Sequence, residues 1–451
     1  MSSESGLVVE ELELSDSNNG DAFRVTERYR SYVVWLLFSV YVLNFVDRQI
    51  LTILMQPIKE EFKFSDTQLG LLGGLAFALL YSALGIPIAR RADRGNRVTI
   101  ITLSLLVWSV FTSVTGLART FTHFLLARVL VGVGEAGCSP SAYSLISDYF
   151  PPARRSTALS IYSMGIYGGV FVGLLLGGEI AQAYGWRTAF FVVGLPGVVV
   201  AGIVKLTLRE PPRGFSDSSP VAKEPPPMGA VIAGLWRKPA FLHTSIAAAL
   251  HSFVGYGVGG FYPAFLMRSH GMSVAEVGRW LAIVTVLGGL VGTFFGGYLA
   301  DRLTKRSGDA RHQLWVPAIS TLVSVPISLL IYVLPAKYAI IALMVPAGAI
   351  GAMYLGPTFA VTQGLVSVRE RALAGALMLF ITNLIGLGLG PLLTGMLSDL
   401  LKGRYIQAGV PELAATADGL RWALCAMTIV NVWSALHYLL AARTLRRDLA
   451  R

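Results

Sequence analysis

Apolar positions along this chain fall into long runs separated by short polar breaks. The runs occupy about residues 31–57, 67–89, 98–118, 121–146, 157–183, 188–208, 240–267, 274–299, 313–334, 338–363, 372–398 and 420–442. Each exceeds the roughly 20 residues that an α-helix needs to cross a bilayer, and each is far longer than a strand. The pattern predicts an all-α integral membrane protein with twelve spanning helices.

The twelve runs divide into two related sixes. Shifting the chain by 208 residues sets Ser65 on Ser273, Gln68 on Glu276, Gly70 on Gly278, Asp93 on Asp301 and Arg94 on Arg302. Farther along, the offset drifts to about 216, where Arg155 meets Arg371. Ser65 with Gln68, and Ser273 with Glu276, read as capping boxes that open spans 2 and 8. Repetition on this scale predicts two pseudo-symmetric six-helix bundles around a site near the bilayer midplane. The expected organisation is a disordered acidic tail (1–28), an N-terminal bundle (29–208), a Pro-rich linker (209–239), a C-terminal bundle (240–443) and a short tail (444–451). Spans 5 and 8 carry glycines at four-residue spacing, Gly165, Gly169, Gly173 and Gly177, then Gly288, Gly292 and Gly296. Such stripes fit either a sliding contact between bundles or static helix packing.

Charge adds orientation. Charged residues are 14% of the chain, against about 25% in a soluble domain, so the net charge of +11 is no nucleic-acid footprint. The bases gather in alternate loops: Arg90, Arg91, Arg94 and Arg97, then Arg154 and Arg155, the linker, Arg302 to Arg311, Arg369 and Arg371, and the C-terminus. The positive-inside rule therefore predicts cytoplasmic termini and a cytoplasmic linker. Residues 1–23 hold six acids and no base, unlike a signal peptide. Cys138 and Cys425 lie in different spans and read as buried hydrophobes; no metal-ligand spacing or cofactor motif accompanies them. Gly255-Tyr256-Gly257-Val258-Gly259-Gly260 matches a dinucleotide pattern on paper but lacks the βαβ setting. Without a phosphate loop or a nucleophile elbow, the chain reads as neither an ATP-driven pump nor an enzyme.

The informative polar residues are those inside the spans. Asp47 and Arg48 stand side by side in span 1, and an unsolvated charge there costs several kcal/mol or more. Tyr41, Asn44, Arg48 and Thr52 share one helical face, as do Arg128, Gly132, Glu135 and Ser139 in span 4. The repeat places Gly255 opposite Asp47 and Ala352 near Glu135, so the charge belongs to one bundle only. An amphipathic cavity follows, ionic on one wall and greasy on the other. Arg48 is the expected anion contact, within a substrate set of Tyr41, Asn44, Arg128, Ser139, Phe253, Tyr256, Tyr354 and Phe359, to which Phe261 adds another tail contact. Arg128 fits a structural role in span 4 as well. Asp47 and Glu135 are the expected proton carriers, the alternative being a permanent ion pair between spans 1 and 4. His243 and His251 read as packing groups.

Two loop segments carry a family resemblance. Ala89-Arg90-Arg91-Ala92-Asp93-Arg94-Gly95-Asn96-Arg97 and Gly297-Tyr298-Leu299-Ala300-Asp301-Arg302-Leu303-Thr304-Lys305-Arg306 both resemble the loop signature of the major facilitator superfamily. That resemblance implies a cytoplasmic gate in which each aspartate engages helix ends and bases of the opposite half. Asp93 is then expected near Arg369 and Arg371, and Asp301 near Arg154 and Arg155, with Arg94, Arg97 and Arg302 in the same gate. The Asn44–Arg48 segment, Ser65–Gly74, Arg128–Ala136 and Pro151–Arg155 together look like the Spinster branch, in a bacterial homologue. The likeness implies an inner-membrane carrier, acting as a monomer, for a lysophospholipid or sphingolipid-like substrate, coupled to protons. The same Asp-Arg and Gly-x-Gly-Glu-Ala patterns also occur in organic-anion and drug carriers of the superfamily.

Overall fold

The structure is a computed structural model that describes residues 23, 25–216, 228–367 and 370–450. The acidic residues 1–22 of the expected tail, and 217–227 of the linker, lie outside the described residues. No strand occurs among those described.

The first half of the chain forms α1 (Glu27–Phe62), α2 (Asp66–Gly73), α3 (Leu75–Arg94), α4 (Arg97–Thr115), α5 (Phe121–Glu135), α6 (Cys138–Tyr149), α7 (Pro152–Tyr184) and α8 (Trp186–Thr207). A short α9 (Met228–Trp236) lies in the linker. The second half forms α10 (Pro239–His270), α11 (Val274–Ser307), α12 (His312–Val333), α13 (Lys337–Ala352), α14 (Leu355–Gly364), α15 (Arg371–Thr382), a π-helical turn (Asn383–Leu389), α16 (Gly390–Gln407) and α17 (Glu412–Leu449). The final helix thus runs on through most of the stretch expected to be a tail.

Pairs α2–α3, α5–α6 and α13–α14, and the α15–π–α16 run, each make one interrupted span. Eleven stretches among the described residues are long and apolar enough to cross a membrane. The remaining one, α10, has 32 residues. Its apolar pattern is diluted by His243, Ser245, His251, Ser252 and a cluster of glycines. The chain is an all-helical membrane protein whose twelve runs match the expected spans.

Helix starts follow the caps written in the sequence. Thr26 accepts from Tyr29 N at 3.3 Å, and Asn96 from Thr99 N at 2.7 Å. The Ser65–Gln68 box is complete. At Ser273 the hydroxyl accepts from Glu276 N, while the Glu276 carboxylate pairs with Lys337 at 2.9 Å.

Within each half the first helix packs against a later one, α1 on α7 and α10 on α17 and the π turn. The halves meet mainly through α7 with α11 and α2 with α16. The glycine stripes resolve in favour of static packing. A Cβ at Gly165, Gly169, Gly173 or Gly177 would strike α1, one at Gly288 or Gly292 would strike α13, and one at Gly296 would strike Met353 just past α13, in each case within one half. Contact between halves uses Gly178 against Gly278 instead, where a Cβ would come within 3.2 Å of the partner Cα. Cys138 and Cys425 are both free and buried.

Candidate functional site

The α1 face carries Asn44, Asp47 and Arg48 toward α5. Glu135 ends α5, which approaches its neighbours closely because Gly132 and Gly134 lack side chains. A Cβ at Gly132 would come within 2.7 Å of Phe77 O, and one at Gly134 within 2.6 Å of Trp108 N. That close fit delivers the Glu135 carboxylate to Arg48, whose Nε donates to Oε2 at 2.7 Å. The Glu135 side chain is wholly buried, whereas that of Arg48 is 17% exposed. Three rings surround the guanidinium, Phe45 and Phe77 at 5.0 Å and Tyr81 at 4.7 Å from their centroids. Ring faces and a carboxylate together replace the water that Arg48 gives up. Arg128, also buried, lies over Phe77 at 5.3 Å. Its Nε makes one long bond to Leu72 O, 3.4 Å.

Between the halves lies a cavity of about 400 Å³. Its first wall holds Phe45, Arg48, Gln49, Thr52, Met55, Gly73, Phe77, Arg128, Val170 and Leu174. The opposite wall holds Gly255, Tyr256, Gly259, Gly260, Tyr262, Pro263, Leu281, Val284, Thr285, Gly289, Ser328, Met344, Ala347, Gly348, Leu387 and Pro391. Among the described residues, no charged one stands on that second wall. A cavity with cations on one side and apolar or small groups on the other can hold an anion and the apolar body attached to it.

Of the residues expected to contact substrate, Arg48, Arg128 and Tyr256 line this cavity. Asn44 and Tyr41 sit behind it: Asn44 is buried, and Tyr41 stacks on Tyr162 with centroids 4.3 Å apart. Ser139 is half-buried in the first turn of α6. Tyr354 bonds Ser252 through its hydroxyl at 3.2 Å and covers the His251 ring. Phe253 packs against an apolar cluster drawn from both halves and Phe359 against one of the second half, and Phe261 is wholly buried. Asp47 is only 2% exposed and lies behind the wall near Glu135, Thr112 and Arg128. His251 is held at both ring nitrogens, by Thr321 at 3.1 Å and Gly351 O at 2.9 Å. His243 faces His437 at 3.0 Å.

At the end away from the linker, a charge cluster joins the two halves. Asp66, 1% exposed, receives Arg268 through two bonds of 2.7 Å, Lys59 at 2.5 Å and Ser398 at 2.7 Å. Arg268 also donates to Gln56 at 2.7 Å. Asp399 of α16 accepts from Asp66 N at 3.0 Å and Thr67 N at 2.8 Å. A carboxylate from one half thus satisfies free N–H groups at a helix N-terminus of the other. The signal in the sequence is a lone Arg268 in the last turn of a span otherwise free of ionised groups.

At the linker end, Arg97 is fully buried. It pairs with Asp148 and, at 2.6 Å, with Glu210, so the start of the linker is bound to the first half. Arg154 pairs with Glu27 at 2.9 Å, Arg155 donates to Phe150 O, and Asp301 accepts from Gln313 at 2.8 Å. Arg302 donates to Tyr298; Arg94 and Arg371 are exposed. The side chain of Asp93, and Arg369 altogether, lie outside the described residues. Asp309, between α11 and α12, takes hydrogen bonds from Arg311 and Arg446, which hold its carboxyl well below the usual carboxylate range.

Comparison with known proteins places this geometry in context. Residues 37–391 and 244–449 match the family model described as Major Facilitator Superfamily. The chain is 37% identical over 92% of its length, and 93% of the relative, to an MFS-type efflux pump from Mycolicibacterium smegmatis. It is 30% identical to protein spinster homolog 1 of Homo sapiens, over 87% of this chain and 77% of that one. Its fold matches a crystal structure of a bacterial homologue of the human lysosomal transporter Spinster, captured inward-facing and unoccupied. The TM-score is 0.86 at 37% identity, over 94% of this chain and 99% of the other.

Proposed function

Because the chain belongs to the major facilitator superfamily, as a Spinster relative and a membrane transporter rather than an enzyme, we propose that it carries an amphipathic anionic lipid by alternating access, coupled to protons. The substrate class is a lysophospholipid or a sphingolipid-like molecule. What carries the reading is the cavity between the halves, with Arg48 and Arg128 on one wall and, among the described residues, no charge on the other.

The chemistry follows from the Arg48–Glu135 pair. An anionic head that reaches the partly exposed guanidinium competes with Glu135 for it. Glu135 has no access to water, and a bare carboxylate inside a membrane is costly; it must take up a proton or pair again. Asp47 and Glu135 together balance Arg48 and Arg128, so a monoanion entering with a proton leaves the cluster neutral. The apolar tail then lies along Leu281, Val284, Met344 and Ala347. For the cavity to open on the far side, Arg268 and Asp399 must part from Asp66 and Thr67, and the linker-end gate must close. The reading puts the protein in the inner membrane of a bacterium with the linker end cytoplasmic, so that the ties of Asp66 to Arg268 lie at the outer end. The protein acts as a monomer.

A second reading, a carrier of small organic anions or drugs, is favoured by the efflux-pump relative. Flux into proteoliposomes separates the two. A lysophospholipid panel is compared with short organic anions, with and without a pH gradient. Lipid flux that rises with the gradient supports the proposal; gradient-driven flux of the tail-less anions alone rejects it.

A further inference from the structure

The run from Gly255 to Gly260 has no phosphate-binding context, yet its glycines have a physical reading. Glycine is the poorest helix former after proline, so a run of them within α10 calls for an explanation. Packing supplies it at Gly257, where a Cβ would come within 2.7 Å of Thr394 Oγ1 and 2.9 Å of Gly390 O. Packing supplies nothing at Gly255 and Gly259, whose Cβ would meet no atom within 4 Å. Both line the cavity, as does Gly260 one position on. Positions 255 and 259 are one helical turn apart on a single face. Tyr256, between them, is close enough to Arg48 to feel its charge. Arg128, 4% exposed, lines the same cavity, and among the described residues it makes one long bond, to Leu72 O, beside its contact with the Phe77 ring.

We propose that Gly255 and Gly259 set the width of the cavity across from Arg48, and so select substrates by the bulk attached to their anionic group. This rests on the transport reading above and sharpens it: the favoured cargo bears a wide polar body, a sugar or polyol, on its charged end. A side chain at either position would occupy that space and leave room only for a narrow head.

The test measures binding by purified Gly255→Val and Gly259→Val proteins, with Gly255→Ala and Gly259→Ala as milder changes. Ligands are lysophosphatidic acid and lysophosphatidylinositol of the same chain length. The alanine variants are expected to melt as the wild type does, because their Cβ atoms meet nothing. Gly257→Ala is expected to melt lower. The valine variants are expected to lose lysophosphatidylinositol by about tenfold or more, the scale of a few misplaced methyl groups in a pocket, and to keep lysophosphatidic acid within about twofold. Equal losses for both ligands, or no loss for either, would overturn the size filter. If the wild type binds neither lipid, the lipid reading fails instead, and the filter is read with glucuronate against lactate. Loss of glucuronate alone sustains it; parallel loss of both removes it.

Discussion

At the scale of single residues, the decisive arrangement is one arginine shared between a buried carboxylate and an open cavity. Removing one partner of a buried ion pair leaves an uncompensated charge and costs about 3–5 kcal/mol. Arg48→Ala is therefore expected to lower the melting temperature sharply and to abolish flux. Glu135→Gln removes the stranded carboxylate, so the Arg48→Ala/Glu135→Gln double variant should recover most of the lost stability without recovering transport. Thermal unfolding in detergent, beside proteoliposome flux, reads both. A double variant no more stable than Arg48→Ala would mean that the two side chains are not a pair. Asp47 and Arg48 were conspicuous in the sequence because charge inside a span is costly. Helical spacing set Glu135 and Arg128 on one face of span 4 and left an ion pair between spans 1 and 4 as the alternative; that Glu135 pairs with Arg48 emerged only from the fold. That Asp47 points behind the wall was not legible, because helix rotation is set by packing and not by composition.

Among the elements, the seam between α2 and α16 ties the two halves together at one end of the molecule. Asp66→Asn is expected to weaken the hold on Arg268 and Lys59 and to favour the state open at that end. A cysteine at Thr67 should then react with an impermeant maleimide several-fold faster than in a background with Asp66 intact. Unchanged labelling would show that the seam is not a gate. Asp309 gives a second, milder test at the linker end. Its carboxyl is held below the usual range by Arg311 and Arg446, so its contribution is complete above about pH 4. That contribution is lost as pH falls toward the lowered value. Asp309→Asn should lower the melting temperature by a similar amount from pH 8 to pH 5, and the gap should shrink in more acid solution. A gap that grows on acidification would contradict the assigned sign.

For the whole molecule, the twelve apolar runs and the 208-residue repeat made the architecture legible, because a bilayer demands long apolar helices and a duplication preserves their caps. Arg48 and Glu135 stood out in the sequence because charge inside a span is costly, and the fold adds that they pair. The far-end lock was not, because Asp66 and Arg268 stand 202 residues apart and only the folded chain brings them together. Glycines likewise look alike in a sequence. Only neighbours separate Gly169, filled by α1, from Gly255, which faces empty space.

The claim that an anion at Arg48 displaces Glu135, which then takes up a proton, can be read without any membrane. Purified protein in weakly buffered detergent solution, titrated with a lysophospholipid, should draw protons from the medium as it binds, and Glu135→Gln should bind with much less uptake. Binding that leaves the pH untouched in the wild type, or equal uptake by the Glu135→Gln protein, would contradict it.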